Sequence, residues 1–223
     1  MTYTKRITPR IKICCISSIN EAKMALDLGA HAIGLVASMP SGPGVIPEDL
    51  IAEIARYAPP AITSVLLTSH RSTKEIIKQH QSCRTNAIQI CDSLLNGTHD
   101  DLRQALPGIS LIQVVHVAGE KSIDEATKTA SEVDAFLLDS GKKSDGKIEL
   151  GGTGIIHDWD VSKKICREVD VPVFLAGGLN PDNVQEAIKK VQPFAVDVCS
   201  GVRTNGQLDQ NKLSKFMSNV QSL

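Results

Sequence analysis

Short aliphatic and β-branched runs alternate with stretches of helical periodicity along the whole chain. Strands are expected at residues 11–16, 32–37, 62–68, 87–91, 111–117, 135–139, 171–176 and 195–200. Each run is almost continuously apolar, as a strand covered on both faces must be. Helices are expected at 20–28, 47–57, 73–80, 99–105, 123–131, 160–168, 181–190 and 209–220. Several open with helix-start chemistry: Asn20 before Glu21, Pro47-Glu48-Asp49, and Asn180-Pro181-Asp182. In these, proline occupies the first turn and acids face the positive end of the helix dipole. Gly29 suits the position that closes the first helix.

Repeated βα units build parallel sheets. Eight of them in 223 residues suit a single-domain α/β protein, a closed (β/α)8 barrel, with residues 1–10 as an N-terminal extension. An open doubly wound sheet is the alternative. The barrel is favoured because chemistry-bearing residues fall at the ends of many strands and not at one switch point. Residues 38–46 and 140–159 form loops long enough to serve as lids or binding loops.

Composition removes several classes of function. Hydrophobic residues make up 42% and charged residues 22%. No apolar run approaches the ~18 residues of a membrane span. The first ten residues and the short stretch after them, which contains Lys12, do not resemble a secretory leader. A cytoplasmic protein is expected. Lys plus Arg number 24 against 25 Asp plus Glu, with no basic run, so no nucleic-acid partner is expected. Six cysteines without a paired CxxC or a His/Cys ligand spacing suggest neither a metal site nor a disulfide framework.

Three glycine-rich segments follow late strands: Gly151-Gly152-Thr153-Gly154, Gly177-Gly178-Leu179-Asn180 and Ser200-Gly201. Such turns let backbone N–H groups approach an anion, and barrels commonly bind phosphate after strands seven and eight. Phosphate is therefore expected at Gly178, Leu179, Ser200 and Gly201. Cys14 at the end of the first strand and Asp139 at the end of the sixth suit a base and an acid on two sides of one barrel mouth. Structural roles are the alternative: a small buried hydrophobe and a loop cap. Of the vicinal Cys14 and Cys15, one should face the barrel and the other the helices. His116, His157 and Arg203 are candidate cations at the rim, each with a plain hydrogen-bonding or ion-pairing alternative. Lys142, Lys143 and Lys147 read as the solvated face of a lid.

Several segments, in order over nearly the whole chain, resemble the phosphoribosylanthranilate isomerase family. They are Lys12-Ile13-Cys14, residues 29–36, residues 134–139, Gly151-Gly152-Thr153-Gly154 with Asp158-Trp159, residues 175–184, and Val196-Asp197-Val198-Cys199-Ser200-Gly201-Val202. The resemblance implies a (β/α)8 barrel and a cofactor-free Amadori rearrangement of a phosphoribosyl amine to a 1-amino-1-deoxyribulose phosphate. It also implies Cys14 as general base and Asp139 as general acid, Asp197 on sugar hydroxyls, and the turns containing Gly178, Leu179, Asn180, Ser200 and Gly201 around the phosphate. A small phosphosugar is the implied partner, and oligomeric state is left open. The chain departs from the family pattern in three places. Pro43, beside Gly44, stands where the family carries an arginine taken to bind the anthranilate carboxylate. Cys91 stands where it carries a histidine, and Cys15 where it carries a glycine. These departures leave two other readings open: an isomerase of a different aminated phosphosugar, or a non-catalytic phosphate-binding paralogue. Retention of Cys14 and Asp139 argues against the second.

Overall fold

A computed structural model describes residues 8–140, 143–144, 147–148 and 158–223. Eight parallel strands carry the architecture. They are β1 (Arg10–Ile13), β2 (Ala32–Val36), β3 (Thr63–Thr68), β4 (Ala87–Ile90), β5 (Ser110–His116), β6 (Ala135–Asp139), β7 (Val173–Leu175) and β8 (Ala195–Val198). Neighbours run in the order β1-β8-β7-β6-β5-β4-β3-β2, and β1 pairs with β8 from Arg10 against Ala195 to Ile13 against Val198. That pairing closes the barrel and excludes the open sheet. β1 begins at Arg10, inside the stretch read as an extension.

The helices are α1 (Ile19–Asp27), α2 (Glu48–Tyr57), α3 (Thr73–Cys83), α4 (His99–Ala105), α5 (Lys121–Thr129), α6 (Trp159–Glu168), α7 (Val184–Val191) and α8 (Gln210–Gln221). Their starts follow local chemistry. Ser18 caps α1, Thr98 and Asp101 form a capping box on α4, and Asp158 and Asp209 accept from the first amides of α6 and α8.

Alternation along each strand sorts side chains into two cores. On β2, Ala32 and Val36 belong to the barrel interior, whereas Ile33 and Leu35 pack in the layer under the helices. The interior is filled by small and medium residues such as Val65, Leu67, Ile112, Val114 and Leu137, so it is a packed core and not a pore. Two short antiparallel ribbons decorate the barrel. Lys143–Ser144 pairs with Lys147–Ile148 after β6, and Arg203–Thr204 pairs with Gln207–Leu208 after β8. The second turns at Asn205 and Gly206, both at positive φ, a two-residue hairpin that sequence periodicity alone passes over.

Candidate active site

A cavity opens at the C-terminal ends of the strands. Cys14, Cys15, His116, Asp139, Gly178, Leu179, Asp197 and Ser200 all line it. Asn180 and Gly201 are not among the lining residues, but they belong to the turns after β7 and β8 that contribute Leu179 and Ser200. Gly151-Gly152-Thr153-Gly154, His157 and Lys142 lie outside the described residues.

The floor is built by β1 and β8. Lys12 is completely buried, and its Nζ lies 3.0 Å from Asp197 Oδ2. Burial works against its charge, but Asp197 and then Cys14 outweigh that effect and hold the ammonium protonated above its ordinary range. Burial pushes the Asp197 carboxyl up, with Lys12 opposing the rise. Asp197 Oδ1 is buried with no hydrogen-bond partner among the described residues, an acceptor left over for a ligand. Gly34 on β2 makes room for this group: a Cβ there would come within 3.0 Å of Cys14 Sγ and 3.1 Å of Lys12 Nζ. Sequence reading missed Lys12, although a charged residue two positions before Cys14 must share its face of the strand.

Cys14 follows β1 directly. The expected split of the vicinal cysteines is corrected by the structure: both thiols are buried in the interior cluster. The reason is local. Cys15 has φ 62, left-handed backbone that breaks the two-residue alternation and that glycine adopts more readily. Its Sγ lies 3.7 Å from Cys14 Sγ and 2.7 Å from Cys199 Sγ. The contact from Cys15 lowers the Cys199 thiol, whereas the contacts with Cys14 and Cys199 raise Cys15. Gly44 closes over this turn, since a Cβ on it would meet Cys15 Cβ at 2.5 Å.

Arg203 is not a rim cation free for substrate. Its guanidinium forks onto Glu21 at 2.9 and 3.0 Å and donates to the carbonyl of Cys15. Glu21 also accepts from the amides of Ser17 and Leu208. This latch ties α1 and the ribbon after β8 to the turn that carries Cys14. Burial opposes the Glu21 charge, but Arg203 and the two amides hold its carboxyl below the ordinary 4.5. A lowered carboxyl contributes stability above its unfolded value, and the contribution disappears as pH falls through the folded value. Glu21→Gln is therefore expected to lower stability at neutral pH by about 2 kcal/mol and to flatten the decline as pH falls below 4.5. Urea denaturation at several pH values checks this; parallel curves for both proteins would contradict it.

Asp139 ends β6, in register with His116 on β5. One carboxylate oxygen accepts from the amide of Ser140. One side of the cavity is made by the turns after β7 and β8. Gly177 and Gly178 have φ 77 and 66, which only glycine adopts cheaply. Gly201 is forced for a different reason: a Cβ on it would stand 2.0 Å from the Leu179 carbonyl oxygen. The two turns therefore interlock. The amides of Gly178, Leu179, Ser200 and Gly201 donate to no acceptor among the described residues. Asn180 differs: its own amide donates to Asn183, and its Oδ1 accepts from Asp182 and Asn183, so it shapes the turn before α7.

Residues 11–219 match the family model described as N-(5'phosphoribosyl)anthranilate (PRA) isomerase. The chain belongs to that family. It is 38% identical over 210 residues to N-(5'-phosphoribosyl)anthranilate isomerase 2 of Methanosarcina mazei, covering 93% of this chain and 92% of that protein. Among solved structures, the Pyrococcus furiosus N-(5'-phosphoribosyl)anthranilate isomerase superposes with a TM-score of 0.79 at 27% identity, covering 96% of this chain and 100% of that one. A phosphoribosyl anthranilate isomerase in complex with reduced 1-(o-carboxyphenylamino)-1-deoxyribulose 5-phosphate superposes with a TM-score of 0.76 at 28% identity, with the same coverage. These relatives agree with the barrel and the family read from the sequence. Among the described residues no helix is long and apolar enough to cross a membrane.

Proposed function

We propose that this chain catalyses the cofactor-free isomerisation of phosphoribosylanthranilate to its 1-amino-1-deoxyribulose phosphate, with Cys14 as base and Asp139 as acid. The observation that carries this reading is one cavity lined by both groups, with backbone amides along one side that donate to no acceptor among the described residues. Asp139 gives a proton to the furanose ring oxygen as the bond from C1 to that oxygen breaks. The anilino nitrogen lone pair then completes a C1=N iminium. The Cys14 thiolate removes the C2 proton, and the electron pair flows to nitrogen to form an enolamine. Ketonisation places a proton on C1 and leaves the carbonyl at C2. The substrate's own iminium is the electron sink, so the balance closes without a cofactor.

Asp197 Oδ1 accepts from a sugar hydroxyl, while Oδ2 stays on Lys12. The phosphate lies against the amides of Gly178, Leu179, Ser200 and Gly201, with the Ser200 hydroxyl as a further donor and Asn180 holding the turn. A cytoplasmic setting accompanies this reading, because a thiolate base crowded by Cys15 and Cys199 works in a reducing compartment.

The test is steady-state turnover of phosphoribosylanthranilate, together with Ser200→Asp. Placing a carboxylate against the phosphate is expected to raise KM at least ~10-fold, with inorganic phosphate losing its competitive inhibition. No turnover by the wild-type chain at saturating substrate would sink the activity. An unchanged KM in Ser200→Asp would move the phosphate elsewhere.

A further inference from the structure

We infer that His116 receives the carboxylate of the substrate's aryl group and so determines which aglycone this chain accepts. The inference rests on the isomerase reading above, which gives the substrate two anionic ends. Backbone amides serve the phosphate. The aryl carboxylate needs a different partner, and charge limits the choice.

No Lys or Arg lines the cavity among the described residues, and its two acids, Asp139 and Asp197, repel an anion. The strand-two loop contributes Met39, Gly42 and Pro43, none of which carries charge. Two cations stand nearby, and the charge of each is met by a carboxylate: Lys12 by Asp197 and Arg203 by Glu21. His116 is the remaining described lining group able to hold positive charge.

Its geometry suits the task. Nε2 lies 3.1 Å from the carbonyl oxygen of Cys91. A carbonyl only accepts, so Nε2 carries the hydrogen and the ring is anchored at that edge. Nδ1 is buried and has no partner among the described residues. A carboxylate is the complement of such a site: it favours a proton on Nδ1, giving a charge-assisted hydrogen bond. The titratable groups that line the cavity from the strands on either side are Asp139, the register partner of His116 on β6, and Cys91 after β4.

Position agrees with the chemistry. His116 and Asp139 are register partners on neighbouring strands, spaced by about 4.8 Å. Asp139 protonates the ring oxygen on C1, the same carbon that bears the anilino nitrogen. A carboxylate ortho to that nitrogen therefore lies a few bonds from the atom Asp139 serves, beside the strand that carries His116.

The experiment compares wild type, His116→Ala and His116→Gln on two substrates: phosphoribosylanthranilate, and the analogue in which aniline replaces anthranilate and the carboxylate is gone. Glutamine keeps an N–H for the Cys91 carbonyl, which guards against a folding defect in the alanine variant. Both variants are expected to raise KM for the carboxylate-bearing substrate roughly 10- to 100-fold, with little change in kcat and no change in KM for the aniline analogue. Equal effects on both substrates would assign His116 a packing role, and unchanged KM values would assign it none; either overturns the inference while leaving the isomerase reading intact. Absence of wild-type turnover overturns both.

Discussion

Cys14→Ala and Asp139→Asn are each expected to lower kcat by about 10²- to 10⁴-fold, the usual contribution of a positioned acid or base. Binding should change much less, because Asp197 and the amides proposed to hold the phosphate are untouched. The two variants should also differ from each other. Without Asp139 the ring opens slowly, so a substrate supplied already as the open-chain imine bypasses the defect. Without Cys14 the C2 proton stays in place whatever form is supplied. Solvent exchange at C2, followed by NMR on the bound substrate, reports that step directly: it should vanish in Cys14→Ala. Full activity in both variants would remove these two residues from the mechanism and leave the family resemblance without its chemistry here.

Lys12→Met is expected to cost about 3–5 kcal/mol of stability, because Asp197 then stays buried without its counter-charge. The comparison that isolates the cause is Lys12→Met with Asp197→Asn, in which no buried charge remains. Chemical denaturation of the double variant should recover most of the loss. Its KM should nevertheless remain high, since the Asp197 oxygen assigned to the sugar has lost its charge. If Lys12→Met unfolds within 1 kcal/mol of wild type, water or a shifted carboxyl already compensates Asp197, and the pair is not what holds the floor. If the double variant recovers both stability and KM, Asp197 has no part in binding.

Several features were legible from residue order alone. Apolar runs covered on both faces, separated by helical stretches, specify a parallel sheet; eight of them with chemistry-bearing residues at many strand ends favour a barrel, and only the pairing of β1 with β8 decides closure. Cys14 and Asp139 were legible as strand-end residues, since strand ends of a barrel share one mouth whatever their distance along the chain. The glycines before α7 were legible because left-handed turns demand them.

Other features existed only in three dimensions. Glu21 looks like an ordinary first-turn acid of α1, yet it accepts from Arg203 and Leu208, more than 180 residues away. That contact turns Arg203 from a candidate ligand into a brace for the Cys14 turn. Gly201 reads as a flexible turn, whereas the approach of the Leu179 carbonyl forbids a side chain there. Cys199 reads as a strand residue, and only closure of β8 against β1 brings its sulfur beside Cys15. The division has one physical cause. Periodicity, turns and caps are local properties of the backbone, and the sequence states them directly. Which charge is neutralised, and which remains available to a ligand, depends on distances between strands joined only when the barrel closes, and Coulomb energy falls with distance in space irrespective of separation along the chain.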